Sequence, residues 1–256
     1  MHNPDELKAL AEEALERLDL WPELHGQATS VRYSLEVGGK RVRPVIALAV
    51  GEALGASVAQ VMPAALAIEL VHTFSLVHDD LPAMDDDEER RGKPSTWKKF
   101  GEGVGVLAGD ALLAEAFRLA ARYESSAVAR ELAEATLGMI GGQYLDTMVE
   151  RPDLETVHKL KTGCLFYGAV ALGLWAAEVP ESAQAPWRSF GAELGMLFQV
   201  VDDILDGDGY VVERGVDGAR RLADDAAERC RVRLTEVDSD TTVLREIVDS
   251  LAVRTV

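Results

Sequence analysis

Two aspartate-rich stretches sit at the ends of apolar runs. The first reads Leu76-Val77-His78-Asp79-Asp80-Leu81-Pro82-Ala83-Met84-Asp85-Asp86-Asp87, and the second Phe198-Gln199-Val200-Val201-Asp202-Asp203-Ile204-Leu205-Asp206. An acidic run is most often a solvated face, yet both of these emerge directly from segments apolar enough to be core. On a helix, Gln199, Asp202, Asp203 and Asp206 share one face through i,i+3 and i,i+4 spacing. Carboxylates held ~5 Å apart repel by roughly 3 kcal/mol at an effective dielectric of about 20. Several such pairs at the edge of a core need cations or protons to offset them. Neither stretch has the central Gly and terminal Glu of a calcium loop. His78 is the one zinc-type ligand in either. Magnesium fits better, because it needs few carboxylates when phosphate oxygens and water complete its octahedron.

Basic residues stand out in a chain whose formal net charge is −18. Gly38-Gly39-Lys40-Arg41-Val42-Arg43-Pro44 reads either as a cationic helix C-terminus or as an anion cradle. In the second reading Lys40 is a point charge, Arg43 a fork for phosphate oxygens, and the glycines allow close backbone approach. Arg90-Arg91-Gly92-Lys93-Pro94 follows the first acidic stretch closely, as a surface ion-pair network or as the other half of a metal–phosphate clamp. Lys161-Thr162-Gly163 interrupts an apolar helix, where a lysine commonly snorkels. His72 lies two helical turns before Asp79 on the same face.

The elements that must position these residues are helical almost throughout. Asn3, Pro4 and Glu6 form an N-terminal capping pattern. Gly38-Gly39 ends a second helix, Pro44 opens a third, and Ser57 caps a long apolar segment that Pro82 stops. Further helices are expected over roughly 102–122, 126–149, 154–177, 182–207, 217–236 and 240–252, with Asp153 and Asp217 as caps. Strand signals are poor. About nine or ten helices joined by short loops predict one all-α domain spanning 1–256. The segments 62–78, 104–121 and 165–176 are apolar nearly all round, so they belong in the middle of a bundle.

Composition narrows the functional classes. Hydrophobic residues make up 48% and charged residues 27% of the 256, which excludes disorder. The acidic excess repels nucleic acid and anionic membranes. Two distant cysteines, Cys164 and Cys230, fit a reducing compartment. No secretory leader pattern and no uninterrupted apolar run of membrane-span length is evident. The expectation is a cytoplasmic protein.

Together these motifs resemble the trans-isoprenyl diphosphate synthases (polyprenyl synthetase family). The resemblance runs from about Gly38 to Asp206 and rests on Gly-Gly-Lys-Arg-Val-Arg-Pro, His-Thr-Phe-Ser-Leu-Val-His-Asp-Asp-Leu-Pro-Ala-Met-Asp, Arg-Arg-Gly-Lys-Pro, Lys-Thr-Gly and Phe-Gln-Val-Val-Asp-Asp-Ile-Leu-Asp in that order. It implies an isoprenoid-synthase-type helical bundle with a deep central cavity, a homodimer, and Mg²⁺, about three ions per site. The implied reaction is head-to-tail condensation of isopentenyl diphosphate with an allylic diphosphate. Asp79, Asp80 and Asp85 would hold metal from the first motif, and Asp202 and Asp206 from the second. Arg90 and Lys161, with Thr162 and Gln199, would hold the allylic diphosphate. Lys40, Arg43, His72 and Arg91 would bind isopentenyl diphosphate. Asp79, Asp85, Asp202 and Lys161 would carry catalysis, with Gln143 and Asp146 in support. Phe74, five residues before Asp79, would meet the growing tail, and with Pro82-Ala83 it points to a C15 product, with C20 second.

One element of the family pattern is missing. A lysine-containing loop should follow the second aspartate motif, but Gly207-Asp208-Gly209-Tyr210 runs almost directly into the final helices. Arg214 is the candidate replacement. The missing lysine leaves open a non-catalytic or regulatory subunit. A terpene cyclase would use the same metals on one substrate, and the basic set Lys40, Arg43, His72 and Arg91 argues against it.

Overall fold

The computed structural model describes residues 1–253. Twelve α-helices are present among them: α1 (Pro4–Glu16), α2 (Gln27–Glu36), α3 (Val42–Ala53), α4 (Val58–Asp79), α5 (Thr96–Phe100), α6 (Glu102–Ala120), α7 (Ala127–Met148), α8 (Leu154–His158), α9 (Cys164–Ala176), α10 (Ala185–Asp206), α11 (Tyr210–Thr235) and α12 (Thr242–Ala252). A π-helical turn, Lys159–Gly163, joins α8 to α9 without a break. A two-stranded hairpin, β1 (Glu89–Arg90) and β2 (Lys93–Pro94), follows the first acidic stretch.

Local chemistry accounts for most boundaries. Asn3 and Glu6 make a reciprocal capping box, with bonds of 2.9 and 2.8 Å. Ser57 and Asp153 cap α4 and α8 with their side chains. Pro44 is the third residue of α3 rather than its first, because Arg41 turns the chain in the left-handed region (φ 51°) and Val42 is already helical. Asp217 lies inside α11, which begins earlier, at Tyr210, and kinks at Gly215. Cys164 and Cys230 are unpaired.

α4 is the spine, packed by α3, α6 and α9, while α10 packs against α9 and α11. A helix buried on nearly every side needs apolar residues all round. α4 buries Val61, Leu66, Ile68, Leu70 and Val71 in this way. By length and composition it could also cross a membrane, but 67% of its most apolar window lies inside the fold. The expectation of no such stretch counted uninterrupted runs alone, and Glu69 and His72 interrupt this one.

Glu69 is 3% exposed and faces Arg41, itself 6% exposed. They form a 2.7 Å ion pair, and Arg41 also donates to the carbonyl of Leu35. This pair fastens the α2–α3 corner to α4. Removing one member of a buried pair strands the other charge, at a cost of about 3–5 kcal/mol. Glu69→Leu should therefore lower the melting temperature by about 10 °C. A scanning-calorimetry shift under a degree or two would show that the corner is held by something else.

Candidate active site

α4 presents its last two turns to a cavity of about 490 Å³. His72, Ser75, Leu76 and Asp79 line it, at the i, i+3, i+4 and i+7 positions of one face. Asp79 ends the helix, where a negative charge meets the negative end of the helix dipole. Burial, with Asp85 and Asp80 adding like charge, pushes its carboxyl up to about 6 against the pull of Lys161 and Arg90. The group therefore calls for a cation.

α10 forms the facing wall. Phe198 and Asp202, one turn apart, line the same cavity. Burial raises the Asp202 carboxyl, and Lys40 pulls against it from 3.9 Å. The aspartates at the centre of the two motifs, far apart in sequence, are thus brought to one space.

The remaining walls are cationic or polar. The corner between α2 and α3 contributes Lys40, Arg41 and Arg43, the hairpin contributes Arg91, and the π-helical turn contributes Lys161 and Thr162. Arg43 lies over the Phe166 ring at 4.7 Å. Burial lowers its guanidinium to about 10, so it stays charged at neutral pH. Its buried Nε has no hydrogen-bond partner among the described residues, which leaves a donor unspent beside the cavity. His72 is pushed well below its ordinary value by burial and then by Arg43, Arg91, Arg41 and Arg90. It is therefore a neutral ring at physiological pH.

The π-helical turn packs closely on α7. Gly142 of α7 abuts it so closely that a Cβ there would lie 2.2 Å from the backbone nitrogen of Lys161. A π turn bulges the backbone outward, as is common at functional sites. Here the bulge carries Lys161 and Thr162 into the cavity, and Lys161 pairs with Asp146 at 2.5 Å. Gln143, the residue after Gly142, lines the cavity and donates to Thr147.

Other expected site residues lie elsewhere. Arg90 does not line the cavity; its Nε and Nη2 both donate to Oδ1 of Asp80, which is 3% exposed. Asp85 and Asp206 are exposed and outside the cavity lining, near enough to Asp79 and Asp202 respectively to add like charge to them. Gln199 points away and donates to Asp203. Phe74 is on another face of α4, 7% exposed and edge-to-face with His78 at 5.0 Å between centroids. Arg214 lies over the Tyr210 ring at 5.7 Å and does not line the cavity, so it does not replace the missing lysine there. Arg41, Glu69, Met139 and Leu165 line the cavity without having been singled out for a role. The signal for Glu69 was a lone acid inside an apolar run.

Among the described residues no group of three or more His, Cys, Asp or Glu is gathered closely enough to hold a metal ion by itself. The acids stand on opposite walls with cations between them. Such a donor set fits a hard cation that takes its other ligands from a bound phosphate and water. It does not fit a preformed protein cage.

Residues 27–217 match the polyprenyl synthetase family. A farnesyl diphosphate synthase of Bacillus subtilis is 44% identical over 195 residues, covering 70% of this chain and 66% of that protein. A chloroplastic geranylgeranyl pyrophosphate synthase of Catharanthus roseus is 38% identical over 245 residues, covering 82% of this chain and 69% of that one. Among solved structures, an FPP/GFPP synthase from Zymomonas mobilis superposes with a TM-score of 0.84 at 26% identity, covering 97% of this chain and 98% of that one. A geranyltransferase from Legionella pneumophila gives 0.83 at 29% identity, covering 98% and 96%.

Proposed function

The chain belongs to the polyprenyl synthetase family, and from that premise we propose that it is a Mg²⁺-dependent trans-prenyl transferase joining isopentenyl diphosphate to an allylic diphosphate. One observation carries the proposal: Asp79 and Asp202 line a single cavity together with Lys40, Arg43, His72, Arg91 and Lys161. Two acids suit a metal–diphosphate complex, and the further basic set suits a second diphosphate, which a cyclase has no need to hold. The shortened α10–α11 connection removes none of these groups, so nothing favours a silent subunit.

Asp79 and Asp202 would hold Mg²⁺, with Asp85 and Asp206 close by. When bound, the ion supplies Lewis-acid stabilisation of charge on a departing diphosphate. Lys161 and Thr162 bind and orient the allylic diphosphate, so their hydrogen bonds strengthen as negative charge grows on the leaving oxygen. Lys40, Arg43 and Arg91 bind isopentenyl diphosphate, with neutral His72 as a hydrogen-bonding partner. Leu76, Met139, Leu165 and Phe198 give the cavity apolar wall that excludes water from the allylic cation. The alkene of isopentenyl diphosphate attacks that cation, and the proton then lost passes to the departing diphosphate.

The test supplies labelled isopentenyl diphosphate, dimethylallyl or geranyl diphosphate, and Mg²⁺, and separates products by length. A C15 product is expected, with C20 second. Cyclised hydrocarbon or no elongation would overturn the proposal. Phe74 lies outside the cavity lining; the role in chain length that the family resemblance assigns to it predicts that Phe74→Ala lengthens the product. An unchanged product removes Phe74 from control of length.

The working unit is a homodimer. Val106 and Leu107 of α6, with Leu137, Ile140, Tyr144 and Met148 of α7, are large apolar side chains left exposed on one chain. Light scattering should give twice the 27.7 kDa chain mass, and the monomer mass at micromolar concentration would contradict this. Two unpaired cysteines suit a reducing cytoplasm.

A further inference from the structure

The two acidic motifs each contain an adjacent aspartate pair, and the members of each pair do different things. Asp79 and Asp202 face the cavity. Asp80 and Asp203 are turned into protein, 3% and 2% exposed. Neighbouring side chains on a helix diverge by about 100°, so an adjacent pair cannot serve one site equally.

Asp203 is the more fully engaged. Its Oδ1 accepts from the Gln199 side chain at 2.7 Å, and its Oδ2 accepts from the backbone N–H of Tyr210 at 2.8 Å. Its backbone carbonyl accepts from the N–H groups of Gly207 and Asp208, at 2.8 and 3.2 Å. His158 Nδ1 lies 3.8 Å from Oδ2 and makes no hydrogen bond among the described residues. Gly209 (φ 46°) presses on the same carboxylate, and a Cβ there would fall 2.2 Å from Oδ2. One residue thus organises the whole connection from α10 to α11. Through His158 it also reaches the residue that immediately precedes the π-helical turn bearing Lys161.

We propose that Asp203 is not a metal ligand: its buried carboxylate ties the start of α11 and the end of α8 to α10 and so holds the shortened connection in place. A loop too short to hold itself in place is held by the second aspartate of the motif. Asp202 is thereby the member of this pair that faces the cavity. The inference rests on the proposed function only for the metal arm of its test.

Asp203→Asn keeps the volume but loses one acceptor where both partners are donors. Melting without metal should fall by about 3–6 °C. The Mg²⁺ midpoint for stabilisation by inorganic pyrophosphate should stay within about two-fold of the unmutated protein. Asp202→Asn should do the reverse, keeping the metal-free melting temperature and raising the Mg²⁺ midpoint by about ten-fold or more, from loss of a ligating charge. Combining Gln199→Leu with Asp203→Asn should add little to Asp203→Asn alone, because residues in one network are not additive. A raised Mg²⁺ midpoint in Asp203→Asn, or an unchanged metal-free melting temperature, overturns the proposal. If that variant does not fold, Gln199→Leu alone decides: a lower melting temperature with an unchanged midpoint supports it, and a shifted midpoint with unchanged melting overturns it. If the unmutated protein ignores Mg²⁺ and pyrophosphate, the proposed function fails, while the metal-free arm still decides the role of Asp203.

Discussion

Asp79→Ala is expected to lower turnover by about a thousand-fold while leaving the helical circular-dichroism spectrum unchanged. Asp79 is a carboxylate lining the cavity whose proton affinity is already raised to about 6 by burial and by Asp85 and Asp80. A group in that position gains most from a bound cation. Losing it weakens the stabilisation of leaving-group charge, and one such preorganised interaction is worth about 10²–10³ in rate. The same holds for Asp202 on the facing wall, where Lys40 lies at 3.9 Å. Neither side chain holds the core together: among the described residues Asp79 accepts no side-chain hydrogen bond, and Asp202 has the long pairing with Lys40. The loss should therefore appear in turnover and in the Mg²⁺ requirement, not in folding. Normal turnover in both variants would remove the metal assignment.

Gly142→Ala should cost about a hundred-fold in kcat/KM, although Gly142 contributes no functional group. Its added Cβ would sit 2.2 Å from the Lys161 nitrogen and 2.6 Å from the Lys161 Cα. Both are backbone atoms of the π-helical turn, so no side-chain rotation relieves the clash. The turn must move, and Lys161 and Thr162 move with it. Displacements of about 1 Å at positioning groups cost on the order of 10²-fold. Gly141→Ala is the matched control, because a Cβ there meets nothing within 4 Å. Equal activity of the two variants would show that the turn's position is unimportant.

Much of the site was legible because its chemistry is concentrated. Acids at the ends of apolar runs and cations in an acidic chain are conspicuous, and Asp79, Asp202, Lys40, Arg43, His72, Arg91, Lys161 and Thr162 do meet in one cavity. The helices were legible from caps and periodicity. What stayed hidden depended on direction rather than on residue type. Phe74 is five residues from Asp79, which on a helix is about 140° around the axis, so nearness in sequence did not place it on the cavity face. Arg90 sits in a hairpin whose strands are two residues each, too short to leave a strand pattern, and its fork belongs to Asp80. The π-helical turn at Lys159–Gly163 packs closely on Gly142, a tertiary contact that no local pattern announces. The shortened connection after Asp206 reads in sequence as a loss. In the fold it is an ordered turn closed onto Asp203.

The central claim is that two acidic walls share one diphosphate through divalent ions. Crystals grown with Mn²⁺ and inorganic pyrophosphate test it most directly, because manganese scatters anomalously. The account predicts anomalous peaks on Asp79 and on Asp202, bridged by the same pyrophosphate and flanked by Lys161. Peaks confined to one wall, or pyrophosphate bound away from the cavity, would contradict it.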